Sequence, residues 1–441
     1  MTVQIALQFA VVLAAIWMGA RYSGIGLGLW GAVGLLVLVV AFGVKPTSPP
    51  VDVMLIILAV IMAASVMDAA GGIDYLVKVA EGIIRANPKY VTIVAPLTTW
   101  CFTFVAGTGH IVYPLLPVIY ETAHQSGIRP ERPMAVATIA SQQAITASPV
   151  AAATAAMIGL FAEKGVAQWG LPEILMVCVP ASLTGVVVAA VVSMFVGKDL
   201  KDDPEYQARV AAGKVPAAIA AAERAPLKAT SKLSALLFLA GVALVVLFGF
   251  FPALRTLPGG KGPLDMPVVI EIAMMSVAAI MLAATKINVD EVPKTATLRA
   301  GVVAVIGIFG LAWLGDSFIA AHKDVIVPAI GKWAETAPWT FAFGLFFASV
   351  LLYSQAATTR ALMPLGMALG IPPQFLIAMF PAVNGYFFIP TYGSLIAAIN
   401  FDLSGTTRIG KYVLNHSFMI PGLVATTVTV VTGLALARVM F

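Results

Sequence analysis

The chain has 441 residues, of which 60% are hydrophobic and 11% charged, with a formal net charge of +5. A water-soluble domain carries about 25% charged residues, so most of this surface must face lipid, and runs such as 33–44, 53–66 and 186–196 have the near-absence of charge that a bilayer requires. The excess positive charge forms no basic stripe interleaved with aromatics, which speaks against nucleic acid as a partner, and Cys101 and Cys178 both sit in apolar context, which speaks against a disulfide framework.

In the first half, apolar periodicity predicts spans near 3–20, 24–43 and 51–69. No Lys or Arg precedes the first run, which argues against a secretory leader there. An amphipathic stretch follows at Gly72–Arg85, with Ile73, Leu76, Val77, Ala80 and Ile84 on one face, suited to the membrane interface. Next come a hairpin over about 90–121, a broken span at 133–160 and a span at 172–197. Residues 198–232 are hydrophilic and read as a linker. The order then repeats, with spans near 233–251, 266–285 and 299–320 and an amphipathic stretch at Lys323–Glu335. A hairpin at about 338–368, a broken span at 373–400 and a last span at 412–440 complete it.

The expected fold is therefore an all-α polytopic membrane protein built as a repeat over 1–197 and 233–441. If each hairpin re-enters without crossing, each half has five crossings, an odd number, and the halves are inverted. With the linker in the cytoplasm, about 18 of the 26 Lys and Arg fall inside and about seven outside, as the positive-inside rule favours. Both termini are then periplasmic. Arg360 belongs to neither group because it lies within the second hairpin.

Polar, breaker-rich interruptions recur at matching places in the two halves. The first runs through Gly107, Thr108, Gly109 and His110 to Thr146, Ser148 and Pro149. The second runs through Ser354, Gln355, Thr358, Thr359 and Arg360 to Pro390, Thr391, Tyr392 and Ser394. Broken backbone survives at membrane depth only where protein buries it or it lines a polar cavity, and paired breaks point to a transporter's substrate site. Hydroxyls, amides, backbone N–H groups and half-helix N-termini are the donors a small dicarboxylate needs. Helix-packing glue is the competing reading of any one Ser or Thr.

Arg360 either attracts the anion, through a fork that matches a carboxylate, or pairs with an acidic neighbour such as Asp316. Asp316 and His110 are candidates to carry a coupling proton. No metal-ligand spacing, nucleotide loop or nucleophile elbow stands out, so no cofactor and no enzymatic chemistry are expected.

Several stretches resemble the anaerobic C4-dicarboxylate transporter family, the Dcu carriers of Gram-negative bacteria. They are Asn87-Pro88-Lys89-Tyr90-Val91, Gly107-Thr108-Gly109-His110-Ile111-Val112-Tyr113, Ile128-Arg129-Pro130-Glu131-Arg132-Pro133-Met134, Ala147-Ser148-Pro149, Ser354-Gln355-Ala356-Ala357, Ile389-Pro390-Thr391-Tyr392 and Ser404-Gly405-Thr406-Thr407-Arg408-Ile409-Gly410. The second and third look most like the DcuB branch. The resemblance implies exchange of fumarate, succinate, malate and aspartate across the bacterial inner membrane, with proton- or sodium-coupled symport as the alternative. It further implies an ion-transporter-superfamily-like fold with an elevator movement, a homodimer and, for some members, a sensor-kinase partner.

Overall fold

Uncharged runs close their own backbone hydrogen bonds as helices, which lets a single segment cross lipid with no polar group left bare. The computed structural model of the chain describes residues 3–22, 24–215, 226–260, 262–352 and 354–441, and side chains except at 323 and 326–336. Nine helices among the described residues are long and apolar enough to span a membrane. This is a multi-pass, all-helical membrane protein.

Two spans, α1 (Val3–Tyr22) and α3 (Val51–Ala69), open it, with a shorter apolar helix, α2 (Gly26–Phe42), between them. The amphipathic α4 (Gly72–Ala86) buries Leu76, Val77, Ala80 and Ile84 and packs against the first hairpin. That hairpin is α5 (Val91–Ala106) and α6 (Val112–Gln125), turning at Gly107–Ile111. The first broken span is α7 (Glu131–Gln143) and α8 (Ala152–Glu163), followed by α9 (Leu171–Ser193). The linker contributes a short α10 (Pro204–Ala211); its residues 216–225 lie outside the described residues.

The second half carries α11 (Ser231–Phe250), α12 (Met266–Thr285), α13 (Ala296–Gly307) and α14 (Trp313–Thr336). A π-helical segment, Ile308–Ala312, joins α13 to α14. The second hairpin is α15 (Phe341–Leu352) and α16 (Gln355–Ala368). The second broken span comprises α17 (Pro373–Met379), a 3-10 stretch at Phe380–Phe387 and α18 (Gly393–Phe401), and α19 (Met419–Met440) ends the chain.

Two details differ from the sequence-based expectation. The helix begun at Trp313 runs on through 323–335 without the expected interruption, and most of that stretch's side chains lie outside the described residues. The last span begins at Met419 and not near 412, because residues 408–417 close a turn, with the Gly410 N–H donating to the Asn415 carbonyl at 3.2 Å, the Ser417 N–H to the Arg408 carbonyl at 3.0 Å and the Tyr412 N–H to Asn415 Oδ1 at 2.8 Å. The residues before that turn gather around the Asp402 carboxylate. That carboxylate accepts from the N–H of Ser404 at 2.9 Å, the N–H of Thr407 at 2.5 Å and the Thr406 hydroxyl at 2.8 Å. A loop with that many local acceptor contacts has little to gain from helix.

The linker is docked by charge. Buried Arg129 donates to Glu131 at 2.5 Å and to Asp203, and Asp203 in turn N-caps α10 by accepting from the N–H groups of Glu205 at 2.9 Å and Tyr206 at 3.3 Å. Ser417, from the far end of the chain, donates to Glu131 at 2.6 Å. The Arg129 cluster thus ties linker, first half and second half together. Removing one partner of a buried pair leaves the other charge uncompensated, so Arg129→Ala should cost about 3–5 kcal/mol, seen as a lowered midpoint of thermal unfolding in detergent.

Burial alone would push the Asp203 carboxyl up. The Tyr206 N–H, the Arg129 guanidinium and the Glu205 N–H outweigh it and hold the group below the ordinary aspartate range. A depressed carboxylate stabilises the fold above its unfolded value and loses that contribution as pH falls through the folded one. The stability gap between wild type and Asp203→Asn should therefore be full at pH 7 and shrink below about pH 4. Thermal unfolding across that range checks it, and a gap constant with pH would refute it.

Candidate functional site

A cavity of about 550 Å³ lies between the two halves, walled by the first hairpin tip, the first break, α13 and the second hairpin tip. Its mouth is marked by exposed Gly24, Ala296 and Arg299. Among the residues lining it, Arg299 is the one with a full charge, and none is Asp or Glu. Arg299 sits in the first turn of α13, next to Thr297, whose hydroxyl donates to Asp68 at 2.7 Å.

The helix starts explain why a polar cavity forms here. Five helices begin at its wall. The turn Gly109–Ile111 leads into α6, α13 starts at the lining residue Ala296, and α8, α16 and α18 start just after the lining residues Val150, Ser354 and Tyr392. A helix leaves its first N–H groups without intrahelical partners and carries about half a positive unit charge at that end. Two of the starts are capped by hydroxyls the sequence singled out: Thr108 accepts from the His110 N–H at 3.3 Å, and Ser354 accepts from the Ala357 N–H at 3.2 Å. The five ends together offer positive charge on the order of a dianion's negative charge.

Glycine sets the first tip. Gly107 has φ +69°, and a Cβ there would lie 2.5 Å from the Val150 carbonyl oxygen. The hairpin tip and the break therefore touch backbone to backbone. Gly109 is equally tight, its would-be Cβ 2.3 Å from the Gln142 amide. His110 stacks on Tyr113 with ring centroids 5.8 Å apart, and Tyr392 meets Tyr386 at 4.9 Å. All four rings line the cavity.

Of the residues singled out from sequence, Gly107, Thr108, Gly109, His110, Ser354, Gln355 and Tyr392 line the cavity together. Thr146, Ser148, Thr358, Thr359, Arg360, Thr391 and Asp316 are not among its lining residues. Ser148 donates to the Phe104 carbonyl at 2.6 Å, satisfying a terminal acceptor of α5. Thr146 donates to the Gln143 carbonyl at 3.0 Å, and Thr358 and Thr359 donate back one turn at 2.7 and 2.8 Å. In each case the hydroxyl proton goes to a backbone carbonyl. Arg360 is 1% exposed and pairs with Glu163 at 3.0 Å and Asp316 at 3.2 Å.

A chain of amides crosses between the halves, from half-buried Gln355 in the cavity wall to buried Asn384 and Gln143. Gln355 donates from its amide nitrogen to the Gln142 carbonyl at 3.1 Å and to Asn384 Oδ1. Asn384 donates to Gln143 Oε1 at 3.3 Å and to the Pro381 carbonyl at 3.1 Å, and Gln143 donates to the Thr426 hydroxyl at 2.9 Å. Backbone carbonyls only accept, so those of Gln142 and Pro381 fix the direction of every amide in the chain. Sequence reasoning missed Asn384, Arg299, Tyr113 and Tyr386. An amide in the apolar run Pro381–Phe388 was a readable signal for Asn384, whereas Arg299 looked like one more basic loop residue.

The comparisons with known proteins agree with this architecture. Residues 4–441 match the profile of the family described as the anaerobic C4-dicarboxylate membrane transporter. The C4-dicarboxylate transporter DcuA of Wolinella succinogenes is 41% identical, the alignment covering 98% of this chain and 99% of that one. DcuA of Escherichia coli strain K12 is 42% identical, over 98% of this chain and 99% of that one. The anaerobic C4-dicarboxylate transporter DcuB of Escherichia coli O157:H7 is 39% identical, over 97% of each. Identities of 42% and 39% are too close to assign a branch. Among solved structures, the YdaH transporter of Alcanivorax borkumensis superposes with a TM-score of 0.50 at 15% identity, covering 99% of this chain and 98% of that one, a likeness of fold. The chain belongs to the anaerobic C4-dicarboxylate transporter family, whose members are membrane transporters and not enzymes.

Proposed function

We propose that this protein carries C4-dicarboxylates, both carboxylates ionised, across the bacterial inner membrane, exchanging one for another, with fumarate, succinate, malate and aspartate as substrates. The observation that carries the reading is the cavity's charge. Five helix starts and Arg299 border it, and no carboxylate lines it. One substrate carboxylate would take the N–H groups at the first hairpin tip and break, the other those at the second tip and Tyr392. Arg299 at the mouth would draw anions in by long-range attraction, an effect that added salt weakens.

In this reading the mouth opens to the cytoplasm, since Arg21, Lys294 and Arg299 cluster on that side and the linker's bases lie there too. Both termini are then periplasmic. Access alternates by an elevator-type movement of the hairpins and broken spans against the remaining helices, within a homodimer. Exchange follows because an empty carrier would move a set of unpaired donors through an apolar barrier, which is costly.

Labelled-succinate counterflow in proteoliposomes without ion gradients tests it. Uptake into vesicles preloaded with fumarate, and not into empty ones, is the expected result. Uptake that requires a proton or sodium gradient would replace exchange by coupled symport. Thr108→Ala and Ser354→Ala should each raise the succinate KM roughly 5- to 30-fold, the equivalent of about 1–2 kcal/mol for a lost cap and its neighbouring donors. An unchanged KM in both variants would place the site elsewhere.

A further inference from the structure

Helices α8 and α16 both start at the cavity wall and run away from it in contact with one another. Beyond the wall they are joined by charge. Arg360, in the second turn of α16, brings Nη2 to 3.0 Å from the carboxylate of Glu163, the last residue of α8, and to 3.2 Å from Asp316 in the first turn of α14. One guanidinium thus pins three elements on the side of the site away from the mouth.

The pairing is incomplete. Both carboxylates meet the same nitrogen, whereas a full guanidinium–carboxylate fork uses two. Arg360 Nε and Nη1 are buried with no hydrogen-bond partner, and so is Asp316 Oδ1. Unmet buried donors are costly, so the contact is held by surrounding packing and not by its own geometry. A carboxylate arriving from that side would supply acceptors these nitrogens lack.

We propose that Arg360, Glu163 and Asp316 form a bolt closing the side of the site opposite its mouth, and that Arg360 becomes the first anion-binding residue on that side when the bolt opens. The inference rests on the alternating-access reading above. In the closed state both acids hold the guanidinium. In the open state a substrate carboxylate takes its place on the fork, so the residue that blocks the path also recognises what passes. Arg299 at one mouth and Arg360 at the other then meet the anion in turn.

The test uses the full-length protein in right-side-out vesicles, with Cys101→Ser and Cys178→Ser to silence native thiols. Ala356→Cys, at a buried cavity-lining position one turn before Arg360, is exposed to a membrane-impermeant maleimide from outside. Labelling should be slow with the acids intact and at least tenfold faster with Glu163→Gln or Asp316→Asn. Unchanged labelling in both overturns the bolt. Arg360→Lys, which keeps the charge and loses the fork, should raise the outer KM for succinate at least tenfold and leave the inner KM as it was. A residue that only supports the fold would change the amount of transporter equally for both directions, and an equal KM shift on both sides overturns the binding role. Failure of the wild type to exchange succinate would instead sink the functional reading, while the labelling result would stand on its own.

Discussion

Gly310→Ala is expected to leave almost no folded protein. The Cβ it adds would fall 1.7 Å from the carbonyl oxygen of Gly28 on α2, and the converse Cβ at Gly28 would fall 1.9 Å from the carbonyl oxygen of Ile306. Gly31, one turn on, faces the backbone of Gly310 and Leu311 at 2.6 Å. Small residues let the backbones of two membrane helices touch, and here the partner is the π-helical segment that links α13 to α14. Overpacking in a core usually costs about 1–3 kcal/mol because side chains give way. Backbone atoms cannot, so the cost should exceed that range. Size-exclusion chromatography in detergent would show loss of the monodisperse peak, with Gly82→Ala as control, since a Cβ there meets nothing within 4 Å. A normal peak for Gly310→Ala would mean that α2 and the π segment separate freely.

Gly107→Ala should leave the protein in the membrane and reduce exchange at least tenfold. Two effects act at this residue. Its φ of +69° strains any L side chain, at about 1–2 kcal/mol, and the new Cβ would press on the Val150 carbonyl at 2.5 Å. The second effect moves the hairpin tip away from the break and spreads the donors that wall the cavity. A misplacement on the order of 1 Å is enough to cost a hundredfold where geometry governs rate. Gly127→Ala separates the two, for Gly127 has φ +71° with open space around it. If both variants lose the same activity, strain alone explains it and tip placement is not critical.

The element order and the positions of the breaks are legible in the chain itself, since lipid permits so few arrangements of a bare backbone. Pro149 and Pro390 mark the two breaks, and Thr108 and Ser354 mark two caps that face one cavity. Which hydroxyls turn toward that cavity is not legible there. Thr358 and Thr359 lie within five residues of Ser354, yet their hydroxyls return to carbonyls one turn back. A Thr within a helix always has that local acceptor, so its presence near a break does not decide its partner. Arg360 shows the same limit at longer range: the sequence suggests Asp316 as one partner, while Glu163 comes from the other half of the chain.

Hydropathy and breakers alone thus settle that the chain is a multi-pass helical protein with paired interruptions, because period, length and charge along one segment suffice for that. Assembly in three dimensions settles the rest. Arg299 becomes the charge at the cavity mouth, Asn384 joins an amide chain to Gln143 and Gln355, and Arg360 is withdrawn to a three-way ion pair. Each outcome depends on the rotation of one helix against another from a distant part of the chain. Packing sets that rotation, and no local pattern encodes it.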